Sequence, residues 1–254
     1  MRLALLPLLL ALAGAGQGLP APTPITVSAA VSLTDALTSI ATAYAKGGHG
    51  TIRFNFGASN VLARQIVSGA PVDVFISADE AQMQLAADAG EIALDSRVNL
   101  LRNRLAVAIS AGAPAIETIQ ELIQPSFRRI AVGDPQAVPA GVYAKQYLQA
   151  VNLWTLLESR IVPVANVRAA LTAVETGSAD AAILYRSDLI AAGHARQAFV
   201  VSGPGAPRIV YPAAIVKASR RRGEAERFLA FLRGPAAAAI FTRYGFEPLV
   251  QPAP

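Results

Sequence analysis

The sequence predicts an α/β protein of two lobes, with mixed, mainly parallel sheets flanked by helices and a ligand cleft between the lobes. Three observations predict it. Short apolar, β-branched runs alternate with helical periodicities along most of the 254 residues. A loosely patterned stretch at 92–104 and an apolar strand at 208–216 mark where the chain passes between lobes and returns. Strand–turn–helix junctions recur with hydroxyl, small or branched apolar residues at Ser32, Ser59, Ala140 and Val167. Strand–helix alternation places parallel strands in sheets covered on both faces. Ligands of such folds sit outside the carboxyl ends of the strands.

The chain opens with a segment expected to be absent from the working protein. Met1-Arg2 precedes an apolar run from Leu3 to Ala13, interrupted by Pro7, and then small residues to Gly18. This is the pattern of a secretory signal peptide, assigned to 1–21, with cleavage after Ala13, Ala15 or Ala21. The run is too short to span a bilayer comfortably. The mature protein is expected to be exported and soluble.

The first lobe takes residues 22–104 and 209–254. After a proline-rich linker, Ile25-Thr26-Val27-Ser28-Ala29 reads as a strand. Ser32-Leu33-Thr34-Asp35 resembles a capping box with Asp in place of Glu, and Leu33, Ala36, Leu37, Ile40, Ala41 and Tyr44 then share one helical face. Residues 51–56 form a second strand. The turn Gly57-Ala58-Ser59-Asn60 places Ser59 or Asn60 as the cap of a helix over 61–67. Residues 72–76 form a third strand, and Ser77-Ala78-Asp79 caps a helix reaching 89.

The second lobe takes residues 105–208. Residues 105–109 form a strand, 116–122 a short helix, and Arg129-Ile130-Ala131-Val132 a buried strand. After the turn at Gly133-Asp134-Pro135, Pro139 fits a first helical turn, where a missing N–H costs nothing. The helix runs from 139–141 to about 150. A strand at 160–164 leads to Asn166, the cap of a helix over 167–177. Residues 181–185 form another strand, and Ser187-Asp188 begin a short helix. The strand at 208–216 returns to the first lobe, where helices at 223–233 and 235–244 pack.

Composition narrows the function. With 53% hydrophobic and 15% charged residues, the chain can bury a sizeable core. The formal charge of +5 comes mostly from scattered arginines. The densest run, Ser219-Arg220-Arg221-Arg222, lacks the basic stripe and interleaved aromatics of a nucleic-acid surface, so no nucleic-acid partner is expected. The absence of cysteine excludes disulfides, thiolate catalysis, cysteine-ligated metal and a lipid-modified N-terminal cysteine. His49 sits in a glycine-rich turn and His194 at a helix end, neither at metal-ligand spacing nor beside an evident catalytic partner. Neither a Gly-x-Ser-x-Gly elbow nor a phosphate-cradling lysine loop occurs. Asp35, Asp79 and Asp134 read as cap or turn residues. No catalytic residue, cofactor or bare metal cation is expected, and an enzyme is the less favoured reading.

What the junctions offer is hydrogen-bond donors. Ser32 and Ser59 bring hydroxyls and amides, and Ala140 and Val167 bring amides beneath small or branched apolar side chains. Tyr185 ends the strand at 181–185 and brings a phenol. Each residue alone has a plain structural explanation, as an N-cap, a first-turn residue or a core aromatic. Their recurrence is what points to a ligand. At Ala140-Gly141 the small side chains leave the unpaired first-turn amides bare, which suits an anion. A convergent ring of neutral donors would suit an anion that only accepts hydrogen bonds.

Several stretches resemble one family. Ala29-Ala30-Val31-Ser32-Leu33-Thr34, Gly57-Ala58-Ser59-Asn60-Val61-Leu62-Ala63-Arg64-Gln65-Ile66 and Gly69-Ala70-Pro71-Val72-Asp73-Val74-Phe75-Ile76-Ser77-Ala78-Asp79 are similar to segments of the periplasmic molybdate-binding proteins of ABC importers. So are Ala131-Val132-Gly133-Asp134-Pro135, Val138-Pro139-Ala140-Gly141, Asn166-Val167-Arg168-Ala169-Ala170-Leu171 and Arg243-Tyr244-Gly245-Phe246. The resemblance spans essentially all of the mature chain, in order. It implies a type II periplasmic-binding-protein fold that closes on tetrahedral molybdate or tungstate and delivers it to a membrane permease. It also implies that molybdenum is bound as its oxyanion, by Ser32, Ser59, Ala140, Val167 and Tyr185, without a charged side chain. Arg64 and Arg168 lie near these positions and are not assigned as ligands. Asn60 and Val61 stand where the family commonly has small hydroxyl residues, and Arg186 where a smaller residue is usual. A periplasmic monomer is expected.

The alternative is another tetrahedral oxyanion. Phosphate carries a proton near neutral pH and would want an acceptor carboxylate, for which the junctions offer no convincing candidate. Sulfate, like molybdate, only accepts, so the donor set does not separate the two.

Overall fold

The computed structural model describes residues 24–190 and 192–249, so the signal peptide read at 1–21 lies outside the described residues. In chain order come β1 (Ile25–Ala30), α1 (Thr34–Lys46), β2 (Ile52–Gly57), α2 (Ser59–Val67), β3 (Val74–Ile76), α3 (Glu80–Asp88) and β4 (Val98–Asn103). Arg104 alone separates β4 from β5 (Leu105–Ile109). Then follow β6 (Ile130–Gly133), α4 (Pro139–Ala150), α5 (Trp154–Leu157), β7 (Ile161–Val164), α6 (Val167–Glu175), β8 (Ala181–Tyr185), α7 (Arg186–Ile190) and β9 (Arg196–Val200). The described chain closes with β10 (Ile209–Ile215), α8 (Arg222–Arg233), α9 (Pro235–Arg243) and β11 (Glu247–Pro248).

These strands form two mixed sheets, of order β11-β4-β10-β3-β1-β2 and β7-β6-β8-β5-β9. Pairing is parallel for β1 with β2 and β3, and for β6 with β7 and β8. The strands at and beside the crossings, β4, β5, β9, β10 and β11, enter antiparallel. Among the described residues five strand pairings are antiparallel and four parallel, so the sheets are mixed as expected but not mainly parallel. A chain that leaves one sheet and later returns to it brings strands in with reversed direction. Strands covered on both faces are continuously apolar, as in Leu105–Ile109, Ala181–Tyr185 and Ile209–Ile215, all fully buried. The edge strand β2 instead alternates half-buried with exposed residues over its first four positions.

Helices cover each sheet. On the first, α8 packs on β10, α9 on α1, and α2 on α3. Tyr44 of α1 meets Phe228 and Phe231 of α8 edge-on at 5.3 and 5.1 Å. On the second, α4 and α6 both pack against β6 and β8. The 3₁₀ turn Val31–Leu33, which follows β1, contacts α6, so the two assemblies meet where strands of both end.

Several local expectations are corrected. The stretch 92–104, read as a loosely patterned crossing, contains the strand β4. Its adjacent Leu100 and Leu101 give no alternation, and pairing with β10 makes it a strand. Strands β9 and β11 and helix α5 likewise carry no clear local signature. Residues 116–122 give a 3₁₀ turn, Ile119–Ile123, closed by a Thr118–Glu121 capping box. Helix α6 ends at Glu175, before Gly177, whose φ of +71° is left-handed.

Candidate functional site

The first junction lies between β1 and α1. Ser32 is buried, and its hydroxyl does not cap α1 as a capping box would require. Its Oγ lies 3.0 Å from Tyr211 Oη, while Thr34 Oγ1 donates to the Val31 carbonyl at 2.7 Å. At the second junction α2 starts at Ser59, with Ala58 in the cap position, so neither Ser59 nor Asn60 is the cap. Ser59 Oγ instead accepts a hydrogen bond from the Ala78 amide at 2.9 Å. Asp79, next in line, caps α3 as expected, accepting from Gln82 N at 2.8 Å.

The third junction joins β6 to α4, whose first turn holds Pro139. Gly141 is required there by close approach, since a Cβ would stand 1.8 Å from the Gly133 carbonyl oxygen. At the fourth, Asn166 caps α6 by accepting from Ala169 N at 3.0 Å. The first-turn amides of Ser59, Ala140 and Val167 have no acceptor within their own helices. Tyr185 ends β8 and is buried, and its Oη has no hydrogen-bond partner among the described residues.

Ser32, Ser59, Ala140, Val167 and Tyr185 all line one small cavity of about 20 Å³, together with Ala30, Val31, Ala58, Pro139 and Asn166 among others. Its walls come from both sheets' junctions and contain no Lys, Arg, Asp or Glu. The volume is far below the roughly 300 Å³ at which pockets for organic ligands begin. Larger grooves exist, such as one of about 500 Å³ beside Arg102, Arg104 and Arg208. That groove is bordered by exposed charges, including the Arg104–Glu247 pair, and gathers no helix starts.

Arg64 is exposed and away from the cavity. Arg168 forms ion pairs with Asp35 and, at 3.7 Å, with Asp188. Asp35 is therefore not a cap: it stands in the first turn of α1, whose cap position is Leu33, and pairs with Arg168. Asn60, Val61 and Arg186, the departures from the family pattern, do not line the cavity. Asn60 is nevertheless buried, with an unpartnered Oδ1 among the described residues. His49 packs against Tyr44 with tilted rings whose centroids are 5.0 Å apart, and among the described residues no group of three or more His, Cys, Asp or Glu could hold a metal ion.

Burial pushes the Tyr185 and Tyr211 phenols well above their ordinary pKa, so both keep their protons. Burial also raises Asp188 to about 7, against the lowering effects of Arg168 and of the Tyr185 amide that donates to it at 3.2 Å. The cavity thus offers hydroxyl and amide donors whose protonation is stable through the neutral range. Asp188, Asn103 and Tyr211, which stand behind this wall, escape sequence reading. Asn103 sits in the unpatterned stretch before the crossing, and Tyr211 looks like any aromatic in an apolar strand.

The model of the family described as bacterial extracellular solute-binding protein matches residues 25–247. The chain belongs to that family. Among curated solute-binding relatives it is similar to the molybdate-binding protein ModA of Escherichia coli, at 39% identity over 87% of this chain and 88% of that protein. Among solved structures, the periplasmic molybdate-binding protein of Azotobacter vinelandii superposes with a TM-score of 0.80 at 29% identity, over 87% of this chain and 98% of that one. The sulfate-binding protein SubI of Mycobacterium tuberculosis also has a TM-score of 0.80, over 89% of this chain and 87% of that one. At 21% identity that likeness shows the fold alone. The mixed two-sheet architecture is that of type II solute-binding proteins.

Proposed function

We propose that this solute-binding protein captures molybdate, and with it tungstate, between two lobes and hands it to the membrane permease of an ABC importer. The observation that carries this reading is the cavity of about 20 Å³ walled by neutral donors and free of charged side chains. Such a wall rewards a small anion that only accepts hydrogen bonds, and a dry site strengthens each charge-assisted bond. The direct donors proposed are the hydroxyls and amides of Ser32 and Ser59, the amides of Ala140 and Val167, and the Tyr185 hydroxyl.

The lobes proposed are 22–104 with 209–254, and 105–208, joined through Arg104 and through residues 201–208. The anion touches both, so its differential affinity favours the closed state over the open one. In this reading the protein is an exported periplasmic monomer without catalytic activity. Among the described residues, no helix is long and apolar enough to cross a membrane.

Thermal unfolding of the mature protein with molybdate, tungstate, sulfate, phosphate or no added anion tests the reading. Ligand at 100 times its dissociation constant adds about 2.7 kcal/mol, a rise of about 5–10 °C for a chain of this size. A rise with molybdate and tungstate alone is expected. A rise with sulfate alone would keep the site and replace its ligand, the second reading that an acceptor-only cavity supports. No rise with any of them would remove oxyanions from consideration.

A further inference from the structure

Behind Ser32 lies a hydrogen-bond chain whose direction follows from counting its donors. Asn103 is buried at the end of β4, and its Oδ1 accepts from the Arg104 amide at 2.8 Å, which identifies the oxygen of its side chain. Its Nδ2 then spends one hydrogen on Ser187 Oγ at 2.9 Å and the other on Tyr211 Oη at 3.2 Å. Tyr211 is fully buried and protonated. Having accepted from Asn103, its phenol satisfies its own proton by donating to Ser32 Oγ at 3.0 Å. The reverse polarity would leave a buried O–H without a partner. Ser32, holding an accepted hydrogen bond at its back, keeps its proton for the cavity.

Ser59 is prepared in the same way by a different donor. The Ala78 amide fills one of its lone pairs at 2.9 Å. Two hydroxyls on separate helix starts are thus each backed by a protein donor, which leaves each of them a donor toward the space between.

We infer that Tyr211, oriented by Asn103, is a positioning residue that sets the Ser32 hydroxyl as a donor toward the bound oxyanion. The inference deepens the proposed function and rests on it for the identity of the ligand. Tyr211 also packs edge-on against Tyr185 and Phe246 at 5.7 and 5.5 Å, so its ring has a structural role separable from its hydroxyl.

The test is a double-mutant cycle on the mature chain, with molybdate binding followed by calorimetry in wild type, Ser32→Ala, Tyr211→Phe and the double variant. Tyr211→Phe keeps the ring and is expected to weaken molybdate about three- to tenfold. In the Ser32→Ala background it is expected to cost nothing further, because the hydroxyl it orients is gone. An equal loss in both backgrounds, or no loss in either, overturns the inference. A second measurement does not depend on the anion. In ligand-free protein the Tyr211 hydroxyl proton should appear by NMR as a slowly exchanging resonance close to Ser32, and should shift or exchange away in Ser32→Ala. If it is unchanged in that variant, the relay is refuted even where molybdate binds. If wild type binds no oxyanion while the resonance behaves as expected, the relay stands and the proposed function falls.

Discussion

Arg168 on α6 and Asp35 on α1 form an ion pair between helices that cover different sheets. The guanidinium Nη2 donates to Asp35 Oδ2, while Nε lies 3.7 Å from the buried Asp188. This arrangement exists only when the two assemblies stand close, and it lies one residue from the Val167 amide in the cavity wall.

Removing that pair should loosen closure without touching a donor. Both side chains are partly solvated, at 27% and 39% exposure, so the pair contributes about 0.5–1 kcal/mol. Asp35→Asn is expected to weaken molybdate about two- to fivefold through faster release, and the difference from wild type should shrink in high salt. Stopped-flow release kinetics at two ionic strengths measure this. A change confined to the association rate would contradict it.

The direct donors should cost more. Ser32→Ala and Ser59→Ala are each expected to weaken molybdate binding by about 1–3 kcal/mol, since each leaves the anion short of a charge-assisted bond. Calorimetric titration reads the loss. Unchanged affinity in both variants would remove these serines from the site.

Tyr185→Phe separates binding from folding. The Tyr185 hydroxyl has no protein partner among the described residues, so deleting it breaks no internal hydrogen bond. The ligand-free variant should unfold at a temperature no lower than wild type, yet bind molybdate about 1.5–3 kcal/mol more weakly. A large fall in ligand-free stability would assign the hydroxyl a structural partner instead.

Gly141→Ala should damage the site through the backbone. The added methyl meets the Gly133 carbonyl, which a flexible side chain cannot relieve by rotating. A loss of about 1–3 kcal/mol in stability is expected, with weaker anion binding as α4 and its Ala140 amide move away from β6. Denaturant unfolding and titration on the same sample report both. Wild-type behaviour in both would show that the junction has room.

Asp188 predicts a pH dependence. Its carboxyl titrates at about 7 in the folded protein, raised from an ordinary value of 3.8 by burial. Between those values the folded state holds a proton that the unfolded chain has released. Its contribution is therefore fully present below about pH 4, is lost as pH rises through 7, and changes little beyond. Unfolding midpoints measured from pH 4 to 8 should fall more steeply in wild type than in Asp188→Asn. Parallel curves would show that Asp188 ionises with its ordinary pKa.

The junctions were the legible part of the site. Pro139 at a first turn, Asn166 as a cap and the bare Ala140-Gly141 start are local chemistry, and local chemistry is written in neighbouring residues. The serines were legible only as positions. Local pattern makes Ser32, and Ser59 or Asn60, helix caps, whereas Ser32 bonds to Tyr211, 179 positions away, and Ser59 to the Ala78 amide, 19 positions away. A cap and a relay place the same residue type at the same helix start, so local pattern does not tell them apart.

By itself, the sequence determined the class of fold, most strand–helix units and the junctions that meet around the cavity. Periodicity, turn residues and family motifs act over a few positions. Only the tertiary structure decided that β4 is a strand, that Arg168 reaches Asp35, and that Asn103, Tyr211 and Ser32 stand in one hydrogen-bonded chain. Those outcomes depend on which segments two sheets bring within 3 or 4 Å of one another. A hydrogen bond or ion pair between distant segments leaves no periodic trace in the chain.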